Sequence, residues 1–139
     1  MGGRGKERGL FDKSAKLDTN KTHKDFMAKT FIIAELGNTH EGSLGLAKEM
    51  IKSAKDCGVD AIKLQTHIFE AESLKDAPSP PYFTQESREV YFKRTAFNFQ
   101  EYKELKKFTE NLGLEFISSA FSIEAIEFLE KLGLKTIKV

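Results

Sequence analysis

Glu35, Lys63, Gln65, Ser118, Ser119 and Lys138 are the residues of this chain best placed to do chemistry, because each stands in or at the end of a short apolar run. Charged side chains are costly inside such runs unless they are paired or face a ligand. Two lysines and a glutamate therefore need a reason to be there. One reason is an internal Glu–Lys ion pair that fills space. The other is a pocket in which two cations hold a carboxylate or phosphate while a carboxylate serves sugar hydroxyls or a proton transfer. His40 and His67 follow two of the same runs and could ligate a metal, shuttle a proton or pack a loop. His23 lies in the N-terminal segment and has no evident partner. Cys57, the single cysteine, ends an amphipathic stretch and reads as a small core residue rather than a nucleophile. The segment Gly37-Asn38-Thr39-His40-Glu41-Gly42 has neither P-loop nor dinucleotide-fingerprint spacing.

The elements that must carry these residues follow from the hydrophobic pattern. Phe31–Leu36 is an apolar run of the kind that forms a strand buried on both faces. After a loop to Gly42, Ser43 is a candidate N-cap. Ala47, Met50, Ile51 and Ala54 then recur at helical spacing, and Gly58 ends the helix. Ala61–Thr66 is a second strand. Phe99, Tyr102, Leu105, Phe108 and Leu112 mark a further helix that stops at Gly113, and Leu114–Ser119 is a third strand. Ser122 can cap a helix with Ile126, Leu129 and Leu132 inward, ending at Gly133 before a fourth strand, Leu134–Val139. The helix–glycine–strand phrase thus occurs three times, which calls for a parallel α/β fold. Between Thr66 and Phe97 lies a long excursion with Pro78, Pro80 and Pro81, a helix-like stretch near Glu86–Thr95 and several aromatics. Long connections of this kind are often functional, and this one leaves the C-terminal end of a strand, where such sheets place their sites.

Composition narrows the class. The chain has 139 residues, a formal net charge of +1, 40% hydrophobic and 31% charged residues. There is no basic field to argue for nucleic acid and no apolar run long enough to span a bilayer. The N-terminus lacks a charged region followed by an apolar one, and a lone cysteine allows no internal disulfide, so a cytoplasmic protein is expected. Residues 1–29, glycine-rich and basic, read as a flexible leader; residues 30–139 read as part of a barrel domain. The last apolar run meets no covering helix, so the expected architecture is the N-terminal half of a (β/α)8 TIM barrel, truncated after the fourth strand.

Four segments resemble one family in order and spacing: Ile32–Gly37 with Thr39–Gly42, Ala61–His67, Phe116–Phe121 and Ile137–Val139. They are similar to the sialic acid synthase family, which includes N-acetylneuraminate synthase and its legionaminic, pseudaminic and spore-coat relatives. The family commonly has Asn-His where this chain has Thr39-His40, and often Pro at Ala120. The resemblance implies condensation of phosphoenolpyruvate with an N-acetylated hexosamine such as N-acetylmannosamine, with phosphate released and a nine-carbon 2-keto sugar acid formed. It implies that Lys63 and Lys138 hold phosphoenolpyruvate, that Gln65 contacts the amino sugar and that Glu35 lies at the sugar or the reacting carbons. A divalent metal, usually Mn2+, with ligands beyond Val139, a C-terminal antifreeze-like domain and a homodimer are implied in the same way. Two other readings remain: another phosphoenolpyruvate-dependent aldol synthase making a 2-keto acid, and a non-catalytic truncated paralogue.

Overall fold

The chain alternates strands and helices from Ile33 to Lys138, and a computed structural model describes residues 29–139. The leader expected over residues 1–29 lies outside the described residues, apart from Lys29. Strand β1 (Ile33–Gly37), β2 (Ala61–Thr66), β3 (Glu115–Ala120) and β4 (Ile137–Lys138) form one sheet in the order β1-β2-β3-β4, every pair parallel. Helix α1 (Leu44–Asp56) crosses from β1 to β2, α4 (Phe99–Asn111) leads into β3, and α5 (Ile123–Lys131) leads into β4. Sequential parallel order with one helix per crossover is the architecture of successive units of a (β/α) barrel.

Local chemistry sets the boundaries. The hydroxyls of Ser43 and Ser122 accept the backbone N–H groups of Leu46 and Ala125, as the sequence suggests. Asn98 and Glu101 form a reciprocal capping box at the start of α4. Gly58, Gly113 and Gly133 close the three helices with φ of 80°, 72° and 73°, so the repeated phrase is one recurring turn.

Strand residues alternate between two faces. Ile62, Leu64 and Phe116 point to the helices and pack with Ala47 and Ile51 of α1, Tyr102 and Leu105 of α4, and Leu129 of α5. This is the core. The opposite face carries Glu35, Lys63, Gln65 and Ser119, and no described element lies across it. Two expectations change here. The first strand is not buried on both faces: Phe31, Ile32 and Ile33 are exposed, the first two preceding β1 and the third opening it at the edge of the sheet. Cys57 is exposed rather than in the core, because it is the C-cap of α1, where the helical period has ended. The fourth strand is also shorter than the apolar run, with only Ile137 and Lys138 paired to β3.

The excursion contains two helices, α2 (Phe69–Glu72) and α3 (Arg88–Thr95). Arg94 ties it down, its guanidinium donating to Glu41 in the β1–α1 loop (2.6 Å) and to Glu86 (2.5 Å). Gly42 lies directly under the Arg94 carbonyl: a Cβ there would sit 2.2 Å from that oxygen, and φ is +78°. Only glycine tolerates both the approach and the backbone conformation.

Candidate functional site

Register brings the sequence-selected polar residues into two rows. Glu35 is level with Lys63 and Ile117, and one pleat further along Gln65 is level with Ser119 and Lys138. Since side chains two apart share a face, Glu35, Lys63, Gln65, Ser119 and Lys138 all occupy the helix-free face at the C-terminal end of the strands. Ser118 does not join them; it points to the helices.

The Lys63 ammonium is ion-paired with the Glu35 carboxylate and makes a long contact, 3.5 Å, to the Ser119 hydroxyl. The side chain of Lys63 is 12% exposed and that of Glu35 43%. Burial and then the like charge of Lys138 push the Lys63 ammonium below the ordinary lysine range. Glu35 works against that shift, since an opposite charge favours the ammonium. The ion pair of the simpler reading is therefore present, yet it leaves Lys138 unneutralised beside it. Two cations on one half-open mouth, with a carboxylate paired to the first of them, suit a multiply charged anion.

Behind this row, on the helix side, lies a buried polar network. The Tyr102 hydroxyl donates to the Gln65 carbonyl at 3.0 Å and lies 2.9 Å from Thr66 Oγ1, which is 2.8 Å from Ser118 Oγ. Burial pushes the Tyr102 phenol up to about 12. The network ties the ends of β2 and β3 to α4 and so holds the backbone that carries Lys63 and Gln65. The sequence reading places Tyr102 only on an apolar stripe. The available signal was the residue type, since a buried tyrosine hydroxyl usually finds a partner.

The two histidines divide. His40 is 1% exposed, stacks on Phe97 with centroids 4.3 Å apart, accepts the Gly42 N–H at Nδ1 (3.1 Å), and has a backbone hydrogen bond to Gly37. Burial holds it below the usual histidine range, with Gly37 and Glu41 opposing. Of the three roles left open for it, loop packing fits: it pins the β1–α1 loop with both nitrogens in use. His67 lies between Phe92 and Phe121, with ring centroids 4.2 Å away on each side. Its Nδ1–H donates to Glu72 and its Nε2 contacts Gln65. Glu72 escaped the sequence reading, for nothing in its local pattern distinguishes it from a solvated helix residue. Among the described residues no group of three or more His, Cys, Asp or Glu side chains is arranged to hold a metal ion. With their ring nitrogens engaged, His40 and His67 do not fit that role.

Above the mouth, the excursion forms one wall of an open cleft of about 510 Å³. Gln65 lines it together with Asn38, Tyr82, Arg88, Tyr91 and Phe92. Among the excursion aromatics, Phe83 packs against Tyr91 and Phe92 with ring centroids 5.6 and 6.4 Å apart.

A parallel (β/α)-barrel sheet with cations and a carboxylate gathered at its strand ends belongs to a class of scaffold that places its sites there. The comparisons with known proteins narrow that class. The NeuB family model matches residues 50–139, and the chain belongs to this family of sialic-acid-type synthases. It is 35% identical over 113 residues to N-acetylneuraminate-9-phosphate synthase of Homo sapiens, covering 78% of this chain and 32% of that protein. It is 38% identical over 116 residues to N,N'-diacetyllegionaminic acid synthase of Legionella pneumophila, with 78% and 32% covered. Among solved structures it superposes on the N-acetylneuraminic acid synthetase of Leptospira borgpetersenii with a TM-score of 0.64 and 28% identity, covering 81% of this chain and 36% of that one. The chain spans about a third of the length of these relatives, and its four strands correspond to the N-terminal half of a TIM-barrel synthase.

Proposed function

We propose that this chain contributes the anion-binding half of an active site that condenses phosphoenolpyruvate with an N-acetylated hexosamine, releasing phosphate and forming a nine-carbon 2-keto sugar acid. The observation that carries the reading is the presence of Lys63 and Lys138 on one face of the sheet, with Glu35 of β1 paired to Lys63, in a family of sialic-acid-type synthases. Phosphoenolpyruvate carries a carboxylate and a phosphate, and Lys63 and Lys138 supply point charges for them. Its arrival relieves the mutual repulsion of the two ammonium groups. Glu35 then exchanges its contact with Lys63 for the reacting carbons or a sugar hydroxyl, where a carboxylate can accept a proton. Gln65, which lines the cleft, contacts the amino sugar, and the excursion encloses it.

A divalent metal, Mn2+ by resemblance, belongs to the same proposal; it would polarise the open-chain aldehyde. The described residues do not fit it, so its ligands would come from the remainder of a full-length enzyme. A homodimer is proposed on the same resemblance, and a cytoplasmic location on the N-terminal pattern and the single cysteine; no described helix is long and apolar enough to cross a membrane.

The test is phosphate release by the full-length protein supplied with phosphoenolpyruvate, Mn2+ and a panel of N-acetylhexosamines. Release that depends on one amino sugar is expected. The 139-residue chain alone is expected to bind phosphoenolpyruvate without turnover. Release that needs no amino sugar, or that follows a simple aldose instead, would sink the assignment in favour of another phosphoenolpyruvate-dependent aldol synthase.

A further inference from the structure

We infer that Arg88 sets the choice of sugar, by holding an anionic group, a phosphate monoester or a carboxylate, carried at the end of the amino sugar away from its reacting carbon. Arg88 and Gln65 line the same cleft of about 510 Å³. The guanidinium lies over the Phe92 ring, with Cζ 5.5 Å from the centroid. Phe92 packs in turn on His67, which contacts Gln65. Two rings thus stand between Gln65 and the guanidinium. On the proposed synthase reading, on which this inference rests, the reacting carbon of the sugar meets phosphoenolpyruvate at the mouth marked by Lys63 and Lys138. The far end of the sugar then lies along the excursion wall, where Arg88 stands.

The charges around Arg88 leave it available. The excursion is rich in carboxylates, yet their partners are elsewhere. Lys93 takes Glu70 and Glu89, Arg94 takes Glu86 together with Glu41 of the β1–α1 loop, and Glu72 is bonded to His67. Among the described residues, Arg88 is the one basic residue of α3 without an ion pair. Its position does not serve the helix either. Arg88 is the first residue of α3, where a cation meets the positive end of the helix dipole. An arginine that stands against the dipole, rests on an aromatic wall and has no counter-charge is a preorganised anion holder. Its planar fork matches a carboxylate or a phosphate with two parallel hydrogen bonds, and the ring beneath it limits the side-chain freedom lost on binding. A neutral hydroxyl would leave most of that charge uncompensated.

The test is calorimetric binding to the full-length protein, with phosphoenolpyruvate saturating and divalent metal chelated, so that the mouth is already filled. Three sugars are compared: N-acetylmannosamine, its 6-phosphate and the corresponding 6-carboxylate. One of the two charged sugars should bind at least about tenfold tighter than the neutral one, as charge-assisted hydrogen bonds supply, and which of the two does so names the group. Arg88→Met should erase the difference, and Arg88→Lys should keep only part of it, because a point charge lacks the fork. The thermal midpoint of Arg88→Met should not fall, since the helix loses a cation from its positive end. A native protein that does not prefer either charged sugar overturns the inference without any variant. So does a preference that survives Arg88→Met, or a fall in midpoint that assigns Arg88 to folding instead. A full-length protein that releases no phosphate with any of these sugars once metal is restored would strike the synthase reading. A binding preference lost in Arg88→Met would still establish the anion site.

Discussion

Replacing Glu35 with glutamine should tighten phosphoenolpyruvate binding while removing turnover. In the structure the Glu35 carboxylate occupies Lys63, so an incoming phosphate or carboxylate must share that ammonium with an existing negative charge. Two unit charges about 4 Å apart at an effective dielectric constant of about 20 interact by roughly 4 kcal/mol. The pair is not fully desolvated, with Glu35 43% and Lys63 12% exposed. Exposed pairs measure well under that value, and a discounted figure of about 1–2 kcal/mol is reasonable here. That corresponds to roughly 5–30-fold in affinity. Calorimetric titration of phosphoenolpyruvate into the 139-residue chain, native and Glu35→Gln, reads this directly, with Lys63→Met as the control that should lose binding. The pH dependence gives a second check. Lys63 is already pushed below the ordinary lysine value of 10.5, so binding should weaken as pH rises through its lowered pKa. Removing Glu35 takes away the group that holds the proton on, so in Glu35→Gln the weakening should begin at lower pH. If Glu35→Gln binds phosphoenolpyruvate no better than the native chain, or worse, then Glu35 is not competing for Lys63 and the two-cation account of the mouth fails.

Three further outcomes follow from the packing around the site. Tyr102→Phe deletes a buried hydroxyl bonded to Thr66 and the Gln65 carbonyl; it should cost about 1–2 kcal/mol, seen as a fall in thermal midpoint of several degrees, and an unchanged midpoint would show that the network is dispensable. Gly42→Ala places a Cβ against the Arg94 carbonyl in a left-handed conformation; the strain alone is about 1–2 kcal/mol, so a loss of about 2 kcal/mol or more is expected by chemical denaturation, and a neutral result would mean the loop and α3 are not in contact. Burial holds the folded-state pKa of His40 below the ordinary histidine value of 6.5. The unfolded chain therefore binds a proton that the folded chain does not, and stability should fall as pH drops from about 6.5 toward the lowered value. His40→Gln should flatten that part of the stability profile, and an equally steep profile in the variant would assign the slope to other groups.

What could be read from the sequence, and what could not, divides along a physical line. A charge inside an apolar strand is a local anomaly, and Lys63 and Glu35 announce themselves by their cost in a run such as Ala61-Ile62-Lys63-Leu64. The parallel alternation of helix and strand is equally accessible, because Gly58, Gly113 and Gly133 mark the same turn three times. Compensation is not local. Glu72 pays its burial through His67, five residues away across a short helix, and Tyr102 finds Thr66 thirty-six residues back. No periodicity in either segment encodes those meetings; they exist only once the excursion and α4 are folded against β2. Cys57 and Phe31 fail for the opposite reason. Their residue types predict burial, but the first sits where a helix ends and the second lies before β1 begins. Types that are costly to bury therefore identified the mouth of the site, while the groups that make those costs bearable had to come from the structure. It follows that the substitutions most informative about this protein are not at Lys63 alone. They are also at Tyr102 and Thr66, where a change on the helix side of the sheet should still alter how the strand end that carries Gln65 is held.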